Sequence, residues 1–297
     1  MAKVKLLHNA KAGDEEHSHH DLISLIESKG FNCEYASVKE SGWNKISDDV
    51  DFLIVAGGDG TIRKVIEKLL QRKLIEKRFP IAIIPLGTAN NLAKTLQVDL
   101  SREEAVQSWL SFKRQPFDVG KIYGSGKRKF FIEGLGYGIF PYLIKRMKSS
   151  PRNIGDSPEH ELAIAREEFR NIIQSYEPCY CKIEIDGADH SGKYLLVEVM
   201  NIRSIGPNLD LGPDVEVNDG MFDVVLLTED HRVELSEYIS AKLEGKEREH
   251  AFKIIKGRNI KLVWQGTEGH VDDQRIRIKK PEEIRIEVQA GLLEFLV

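Results

Sequence analysis

The segment Gly57-Gly58-Asp59-Gly60-Thr61 constrains the fold of this chain more than any other part of its sequence. It follows the apolar run 52–56 and precedes apolar residues three and four positions apart, at Ile62, Val65, Ile66, Leu69 and Leu70, which predict an amphipathic helix. We expect the glycines to supply positive φ angles and room for another group to approach the backbone. The first N–H groups of such a helix bind anions, most often phosphates. A tight strand-to-helix connection is the alternative, and the glycine spacing matches neither the Walker A nor the GxGxxG pattern.

The bulk properties of the chain exclude several classes of protein. Its 297 residues, 41% of them hydrophobic, suffice for one large domain or two ordinary domains. A formal net charge of -4 argues against a nucleic-acid partner. No apolar run reaches the ~18 residues of a membrane-spanning helix, and we expect no signal peptide. Three cysteines, with Cys179 and Cys181 two positions apart in a strand pattern, predict free thiols in a reducing cytoplasm.

The pattern of predicted elements changes near Pro116. Before that residue, strands alternate with helices, which predicts a parallel sheet covered on both faces. The predicted strands are 4–8, 31–38, 52–56 and 81–85, and the predicted helices begin near residues 21, 62, 92 and 102. After it, strand patterns follow one another with helices only near 159–175 and 233–243, which predicts a largely antiparallel β domain.

A second motif, Pro85-Leu86-Gly87-Thr88-Ala89-Asn90-Asn91, follows the buried strand pattern 81–84. Gly87 frees the backbone at the strand end, and Thr88 and Asn90 offer polar side chains at the start of a helix. Taken alone, the motif fits an ordinary helix N-cap, where Thr and Asn are favoured. Ligands of parallel sheets gather beyond the carboxyl ends of the strands, so we expect both motifs to face one crevice.

Together the two motifs resemble the diacylglycerol kinase catalytic-domain family, specifically its soluble bacterial lipid kinases. Further segments support the resemblance, in order along the chain: 116–120, 133–138, 206–209 and 218–224. The resemblance implies an α/β nucleotide-binding domain with a parallel sheet over residues 1–118, to which the last strand, 290–297, returns. It implies a mainly antiparallel β-sandwich domain for the lipid substrate over 119–289, with the active cleft between the two. NAD kinases and phosphofructokinases share the glycine–aspartate turn. This sequence lacks the different glycine-rich segment and the Asn-Glu pair of an NAD kinase, and its second half is rich in strands where a phosphofructokinase has a longer α/β domain.

The resemblance implies an ATP-dependent lipid kinase that transfers the γ-phosphoryl group to the hydroxyl of a diacylglycerol-like or related lipid. Such a reaction requires phosphates held in line with the acceptor hydroxyl, a metal ion that neutralises their charge and a base near that hydroxyl. The ATP site is assigned by resemblance to Asn9, Ala10, Lys11, Ala12, Gly13, Ser37, Gly57, Gly58, Asp59, Gly60, Thr61, Ile62, Arg63, Thr88 and Asn90. Lys11 stands where relatives carry a small or hydroxyl residue.

Two Mg²⁺ sites follow from the same resemblance. Asp59 and Asp118 match positions that organise the catalytic Mg²⁺ through water, and Asn91 stands where relatives carry a third carboxylate. A structural Mg²⁺ is assigned to one carboxylate and two backbone carbonyls, at Glu216, Asp219 and Met221. Mg²⁺ prefers such hard oxygen ligands. The alternative for the second site is a plain turn between strands at 218–220.

The sequence departs from the family at the expected catalytic base. Relatives carry Glu in an Asp-Gly-Glu or Asp-Asp-Glu stretch, whereas this chain reads Asp272-Asp273-Gln274. A carboxamide orients a hydroxyl but cannot take its proton, and loss of a general base costs ~10²–10⁴-fold in rate. Asp272 and Asp273 are the alternative bases. The sequence therefore predicts a weak or substrate-shifted kinase, with a catalytically impaired nucleotide- or lipid-binding protein of the same fold as the alternative.

Three weaker features concern metals, membranes and assembly. His17, His19 and His20 suggest a metal cluster but fit a solvated loop better. Basic residues after an apolar run suggest peripheral contact of a cytoplasmic protein with the inner membrane face, and an ordinary amphipathic helix end also explains them: Lys145, Arg146, Lys148 and Arg152. A homodimer formed through a strand edge is a further expectation.

Overall fold

The computed structural model describes residues 1–10, 12, 18–72, 77–124, 128–149 and 157–297. The chain forms two compact units. Unit 1 contains Met1–Phe117 and Leu292–Val297, and unit 2 contains Asp118–Gly291. Among the helices of the described residues, none combines the length and the apolar character needed to cross a bilayer.

A parallel sheet forms the centre of unit 1. Its strands are β1 (Lys3–His8), β2 (Asn32–Ser37), β3 (Phe52–Gly57) and β4 (Ile81–Pro85). They stand in the order β2-β1-β3-β4, and Phe295 near the end of the chain pairs in parallel with Ile81 of β4. Every residue of β3 and β4 is buried, as expected for strands covered on both faces.

Four helices follow the strands of unit 1: α1 (His19–Ser28), α2 (Asp59–Leu69), α3 (Asn91–Thr95) and α4 (Arg102–Ser108). Of these, α1, α2 and α4 pack against strands of the sheet. The Ser18 hydroxyl caps α1 by accepting the N–H of Asp21, and Gly30 follows its end with a φ of 86°. The predicted apolar stripe of α2 is buried at Ile62, Val65 and Ile66. The alternation of strands and helices predicted for this half is confirmed.

Strands dominate the remainder of the chain. They are β5 (Arg114–Tyr123), β6 (Phe130–Phe131), β7 (Gly134–Gly138), β8 (Cys179–Ile185), β9 (Ala188–Asp189), β10 (Gly192–Tyr194), β11 (Leu196–Met200), β12 (Ser204–Ile205), β13 (Leu209–Asp210), β14 (Phe222–Leu227), β15 (Ile254–Gly257), β16 (Asn259–Trp264), β17 (Glu268–Val271), β18 (Gln274–Arg277) and β19 (Ile284–Leu296). One antiparallel layer of unit 2 has the order β10-β8-β16-β19. The other has the order β15-β14-β11-β7-β17-β18.

An apolar core between these two layers makes unit 2 a β sandwich. Val197 and Val199 of β11 join residues of β8 and β16 in this core. Successive side chains of a strand point to opposite faces, so Leu196 and Met200 face away from it, toward a layer of helices. These helices are α5 (Ile139–Ser149), α6 (Pro158–Ser175) and α7 (Arg232–Leu243), preceded by a 3₁₀ turn at Glu229–His231. The predicted fold class, a parallel α/β part and a mainly antiparallel β sandwich, is confirmed.

Candidate active site

Two loops of unit 1 meet through backbone atoms. Gly58 follows β3 and Gly87 follows β4, and a Cβ atom added at Gly58 would lie 2.8 Å from the Cα atom of Gly87. A Cβ atom at Gly57 would lie 2.6 Å from the Cβ atom of Thr61. The prediction of positive φ angles at Gly57, Gly58 and Gly60 is wrong, since Gly58 has a φ of -88° and the other two are not in the left-handed region. Glycine is required at 57 and 58 because a side chain has no room.

The Asp59 carboxylate joins the same two loops a second time. Its Oδ2 atom accepts the N–H of Asn91 at 3.0 Å, and its Oδ1 atom accepts the N–H of Leu92 at 3.2 Å. Asp59 lies in the first turn of α2, whereas these two amides begin α3. One carboxylate therefore caps the neighbouring helix, where a negative charge is stabilising.

Asn90 closes the second loop on itself. Its φ of 51° is left-handed, a conformation that Asn tolerates better than most residues. Its side-chain amide accepts the N–H of Gly87 at 2.9 Å and donates to the carbonyl of Gly87 at 2.7 Å. The side chain that the sequence assigns to a ligand thus fixes the shape of the loop, and its contact with a nucleotide stays a prediction.

The loop after β1 lies beside the glycine turn. Asn9 donates from Nδ2 to the Thr61 hydroxyl at 3.1 Å and from its N–H to the carbonyl of Ala56 at 3.0 Å. The Oδ1 atom of Asn9 is buried, and no described residue donates to it. Ala12 is buried and donates its N–H to the Asn9 carbonyl at 3.0 Å, while Ala10 is exposed. Lys11 and Gly13 lie outside the described residues.

The remaining predicted ATP-site residues of unit 1 differ in accessibility. Ser37 ends β2, where its hydroxyl accepts the N–H of Lys39 at 3.3 Å, and Gly60 and Thr88 are half-buried. Ile62 is buried within α2. The Arg63 side chain forms an ion pair within the same helix, with its Nη1 atom 2.9 Å from Glu67 Oε1. The structure therefore brings Asn9, the glycine turn and the 87–90 loop together at the carboxyl ends of β1, β3 and β4. A helix N-terminus at such a sheet edge is suited to an anion.

In unit 2, the Asp118 carboxylate is fully buried and held by two backbone amides. Its Oδ1 atom accepts the N–H of Gly291 and its Oδ2 atom accepts the N–H of Gly220, each at 2.7 Å. The carbonyl of Asp118 accepts a hydrogen bond from the Asn201 side chain at 2.8 Å. Asp118 therefore links the start of unit 2 to the turn around residue 220 and to Gly291, the last residue of unit 2. The assignment of Asp118 to Mg²⁺ stays a prediction.

Asp272 and Asp273 form the two-residue turn of the hairpin between β17 and β18. Asp272 is buried with a φ of 51°, and its Oδ1 atom accepts backbone N–H groups from three consecutive residues at 2.8–3.2 Å: Ile132, Glu133 and Gly134. An oxygen with three amide donors holds the hairpin against the start of β7 and has little capacity left for a proton. Asp273 is exposed and Gln274 half-buried, and the assignment of a base among these three residues stays a prediction.

A buried ion pair that the sequence analysis missed lies on the helix side of the second layer. Glu198 Oε2 and His270 Nε2 are 2.8 Å apart, and both side chains are at most 1% exposed. His270 Nδ1 lies 2.8 Å from the Asp272 carbonyl, which links the pair to the hairpin turn. Burial lowers the pKa of His270, but the Glu198 charge and these hydrogen bonds outweigh it and leave the pKa raised. The sequence contains one sign of this buried pair, because Glu198 is a single charged residue within the apolar run Leu196–Met200.

The predicted structural Mg²⁺ position contains an ion pair to a lysine. Lys256 Nζ lies 2.7 Å from Asp219 Oδ2 and 3.5 Å from Asp223 Oδ2, and the other Asp219 oxygen accepts the N–H of Met221 at 2.9 Å. Burial lowers the pKa of Lys256, but hydrogen bonding to Asp219 and the nearby charges leave it raised. Because an ammonium already neutralises the Asp219 carboxylate, this arrangement does not fit the Mg²⁺ assigned to Glu216, Asp219 and Met221.

The other metal and thiol features of the sequence lie partly within the described residues. His19 and His20 lie in the exposed first turn of α1 instead of a loop, and His17 and Arg152 lie outside the described residues. Within the described part of the chain, no group of three His, Cys, Asp or Glu side chains is arranged to hold a metal ion. The cysteines are free thiols, as expected, and burial raises the pKa of Cys181 to about 12.

Comparison with known proteins identifies the family. Residues 3–122 match the diacylglycerol kinase catalytic domain, and residues 161–293 match the YegS C-terminal NAD kinase beta sandwich-like domain. The chain is 24% identical to the diacylglycerol kinase of Bacillus subtilis (strain 168), over 97% of this chain and 86% of that protein.

Solved structures show the same fold at low sequence identity. A crystal structure described as a diacylglycerol kinase from Bacillus anthracis str. Sterne has a TM-score of 0.72 at 24% identity, covering 99% of this chain and 96% of that one. A second crystal structure from the same strain has a TM-score of 0.75 at 24% identity, with coverages of 99% and 95%. With both domain models matched in order along the chain, residues 3–122 belong to the diacylglycerol kinase catalytic-domain family and residues 161–293 to the YegS C-terminal beta sandwich-like family.

Proposed function

We propose that this chain is an ATP-dependent lipid kinase that transfers the γ-phosphoryl group of ATP to the hydroxyl of a diacylglycerol-like lipid. The relatives named above support the class of reaction. The observation that carries the proposal is the backbone contact between Gly58 and Gly87 at the N-terminus of α2. This contact fixes two strand-to-helix loops at one sheet edge without side chains that would keep a phosphate away.

The start of α2 suits the phosphates of ATP for electrostatic reasons. Gly58 is the N-cap of α2 and offers no side-chain oxygen to its first amides. These amides carry the partial positive charge of the helix N-terminus, which favours an anion. Thr61 and Asn9 are hydrogen-bonded to each other next to this turn, so they hold the β1 loop in place for the nucleotide.

Asp59 fits a role in orienting metal-bound water. A carboxylate oxygen accepts more than one hydrogen bond, so capping α3 does not prevent Asp59 from holding such a water. Mg²⁺, when bound with ATP, neutralises charge on the phosphates and keeps several of its own waters. In unit 2 we assign Gln274 the task of orienting the acceptor hydroxyl. Loose phosphoryl-transfer transition states depend little on early deprotonation, so we expect slow but real turnover.

Titration calorimetry with ATP and Mg²⁺ tests the nucleotide half of the proposal. We expect one ATP bound per chain and much weaker binding of AMP, which lacks the β- and γ-phosphates. Transfer of labelled γ-phosphate into a panel of lipids then tests the reaction. Heat signals that stay flat with ATP would refute the proposal.

A binding protein without turnover is the second candidate, and Gln274 is the observation that favours it. If a missing base limits the reaction, Gln274→Glu should raise label transfer by up to ~10²-fold. Gln289→Glu, the same chemical change in β19, serves as the matched control and should leave the rate unchanged. Activity that appears only in Gln274→Glu would establish the second candidate for the natural chain.

A further inference from the structure

Two buried side chains meet across a glycine on the helix side of the second layer of unit 2. Glu198 of β11 and His270 of β17 stand opposite Gly136 of β7, one on each side of it. A Cβ atom at Gly136 would collide with Glu198 Oε2 and lie 2.7 Å from His270 Nε2, so the pair forms because this position is a glycine. The Phe140 ring of α5 packs edge-to-face on the His270 ring, with centroids 4.7 Å apart. The buried pair therefore lies between a sheet and a helix.

Both ring nitrogens of His270 face hydrogen-bond acceptors. Nδ1 lies 2.8 Å from the Asp272 carbonyl, which only accepts, so this contact needs a proton on Nδ1. Nε2 lies 2.8 Å from Glu198 Oε2, and this contact needs a second proton. A neutral imidazole has a single N–H, so the geometry is that of an imidazolium beside a carboxylate. The raised pKa of His270 agrees with this assignment.

The other charged groups near the buried pair are largely neutralised or turned away. Arg275 of β18 stands directly opposite the histidine, and its Nε atom lies 2.6 Å from Glu268 Oε2, so these two charges balance each other. The Asp272 carboxylate adds an attraction that is weaker than that of the glutamate in the pair. From α5 come the Phe140 ring and the Tyr142 phenol, which acts on Arg275, while the basic residues of that helix are exposed. The facing strand β7 contributes glycines at 134 and 136.

The buried pair holds the hairpin turn through the backbone of Asp272. That residue has a left-handed φ of 51°, and such a conformation persists in a residue other than glycine when surrounding contacts fix it. Its N–H donates to the Gly134 carbonyl at 2.8 Å, its carboxylate accepts three amides, and its carbonyl accepts from His270 Nδ1. Gln274 follows two residues later and stands opposite Val271, on the other face of the hairpin from His270. His270 therefore influences Gln274 through the backbone of the turn.

One proton decides whether His270 holds this turn. Among the described residues, no donor reaches the buried Oε1 atom of Glu198, so the carboxylate depends on His270 Nε2. A buried charge that loses its partner is strongly destabilising, so a neutral imidazole keeps its single proton on Nε2. Nδ1 then turns a lone pair toward the Asp272 carbonyl, and the contact with the turn is lost. Because the pKa of His270 is raised, the contact is present below about pH 6.5 and is lost as the pH rises through the raised pKa.

We propose that Glu198 and His270 are positioning residues of this kinase, which place Gln274 at the acceptor hydroxyl only while His270 carries both ring protons. This role rests on the lipid-kinase function proposed above and adds to it two residues and an alkaline limit. Both side chains act through the turn and not by contact with the acceptor.

Nuclear magnetic resonance of the nucleotide-free chain tests the protons without any phosphoryl transfer. His270→Gln identifies the ring signals of this residue among the nine histidines. We expect protons on both ring nitrogens at about pH 5 and on Nε2 alone at about pH 9, with the Asp273 and Gln274 backbone amide signals following the same midpoint. Turn amides that do not follow the ring titration would overturn the inference.

The pH profile of kcat tests the consequence for the reaction, with γ-labelled ATP, Mg²⁺ and diacylglycerol in mixed micelles. We expect the wild-type kcat to fall about tenfold on the alkaline side, near the midpoint of the ring titration, because small displacements in a site cost up to ~10²-fold in rate. The KM for ATP should not follow this fall, since the assigned ATP site lies in unit 1.

Glu198→Gln separates positioning from a merely structural role. A neutral amide in place of the carboxylate donates to His270 Nε2 and leaves the single ring proton on Nδ1, facing the Asp272 carbonyl. We therefore expect this variant to lose the alkaline fall and to exceed the wild-type kcat at about pH 9. A purely structural role would instead lower kcat at every pH. Glu184→Gln, the same change at a partly exposed residue of β8, should keep the wild-type profile.

The outcomes distinguish failure of this role from failure of the proposed function. An alkaline fall that persists unchanged in Glu198→Gln would overturn the inference and leave the kinase intact. Label transfer that is absent at every pH, in the wild type and in both variants, would instead refute the proposed function.

Discussion

Glycines in the loops of unit 1 matter because, without a side chain, they leave room for a neighbouring backbone. Gly58 and Gly87 let two backbones touch, and the Asn90 amide then fixes the loop that carries Gly87. The same logic applies in unit 2, where a Cβ atom at Gly134 would lie 2.8 Å from Glu198 Oε1. The glycines of β7 thus make room for a buried carboxylate in the next strand.

Gly87→Ala tests the backbone contact. A methyl group there would collide with the Gly58 Cα atom and with Asn90 Oδ1, so the two loops must separate. We expect ATP affinity, measured by calorimetry, to fall about tenfold or more, since misplaced amides lose hydrogen bonds of roughly 0.5–1.5 kcal/mol each. Gly187→Ala, whose φ of 88° lies in a turn of unit 2, should lower stability but not ATP affinity. An unchanged affinity in Gly87→Ala would contradict the proposed site.

Glu198→Gln tests the buried ion pair through its pH dependence. The pKa of His270 is raised in the folded chain, so the pair stabilises most below the ordinary His pKa of about 6.5. This stabilisation is lost as the pH rises through the raised pKa. We therefore expect the difference in unfolding free energy between the wild type and Glu198→Gln to shrink from about pH 5 to about pH 9. If this difference did not change with pH, folding would not raise the pKa of His270.

At the scale of elements, pairing between strands decides which charges meet. Lys256 of β15 stands directly opposite Asp223 of β14, and Asp223 is 2% exposed. Burial raises the pKa of Asp223, and the Lys256 ammonium opposes that effect. The nearby Asp219 carboxylate binds the same ammonium. The Lys256 side chain therefore holds the turn after residue 218 in the place that the sequence assigns to a metal ion.

Lys256→Met tests whether that ammonium takes the place of a metal. We expect wild-type thermal stability without nucleotide to be unaffected by EDTA or Mg²⁺. The variant should lose about 1–3 kcal/mol, because Asp219 and Asp223 keep their charge without a partner, and should regain part of it in millimolar Mg²⁺. Lys261→Met, which breaks the exposed pair with Glu184, is the control. Destabilisation of the wild type by EDTA would restore the metal interpretation.

At the scale of the whole molecule, the two units share a strand at the end of the chain. β19 begins in unit 2 at Ile284, and its last residues belong to unit 1. Phe295 is fully buried, pairs with Ile81 of β4 and packs edge-to-face against Phe117 at 5.1 Å. Unit 1 therefore depends on the last residues of the chain.

Phe295→Ala tests this dependence. Truncation of a buried aromatic side chain typically costs about 3–5 kcal/mol, because apolar burial is lost and a cavity remains. We expect denaturant unfolding of the full chain to show a loss of that order. Phe112→Ala, at a side chain 38% exposed, should cost much less. A similar small loss in both variants would show that unit 1 is complete without β19.

The sequence by itself determined the fold class and the position of the two glycine-containing loops. Apolar runs such as 52–56, helical stripes such as that of α2 and the glycines at 57–60 are local patterns, and local patterns reflect the periodicity of strands and helices. Sequence analysis also located the two motifs that meet at one sheet edge. It was wrong about the φ angles of the glycines but right that they leave room for another group, which at Gly58 is a second loop about thirty residues away.

Only the tertiary structure decided which polar groups became partners. Asp59 caps a helix 32 residues further on, Glu198 meets His270 across 72 residues, and Lys256 meets Asp219 across 37. Such pairs depend on strand register and on the order of strands in a sheet, and a one-residue shift of a strand would turn each side chain to the other face. Sequence spacing carries no record of that register, so these partners emerge only when the sheets are assembled.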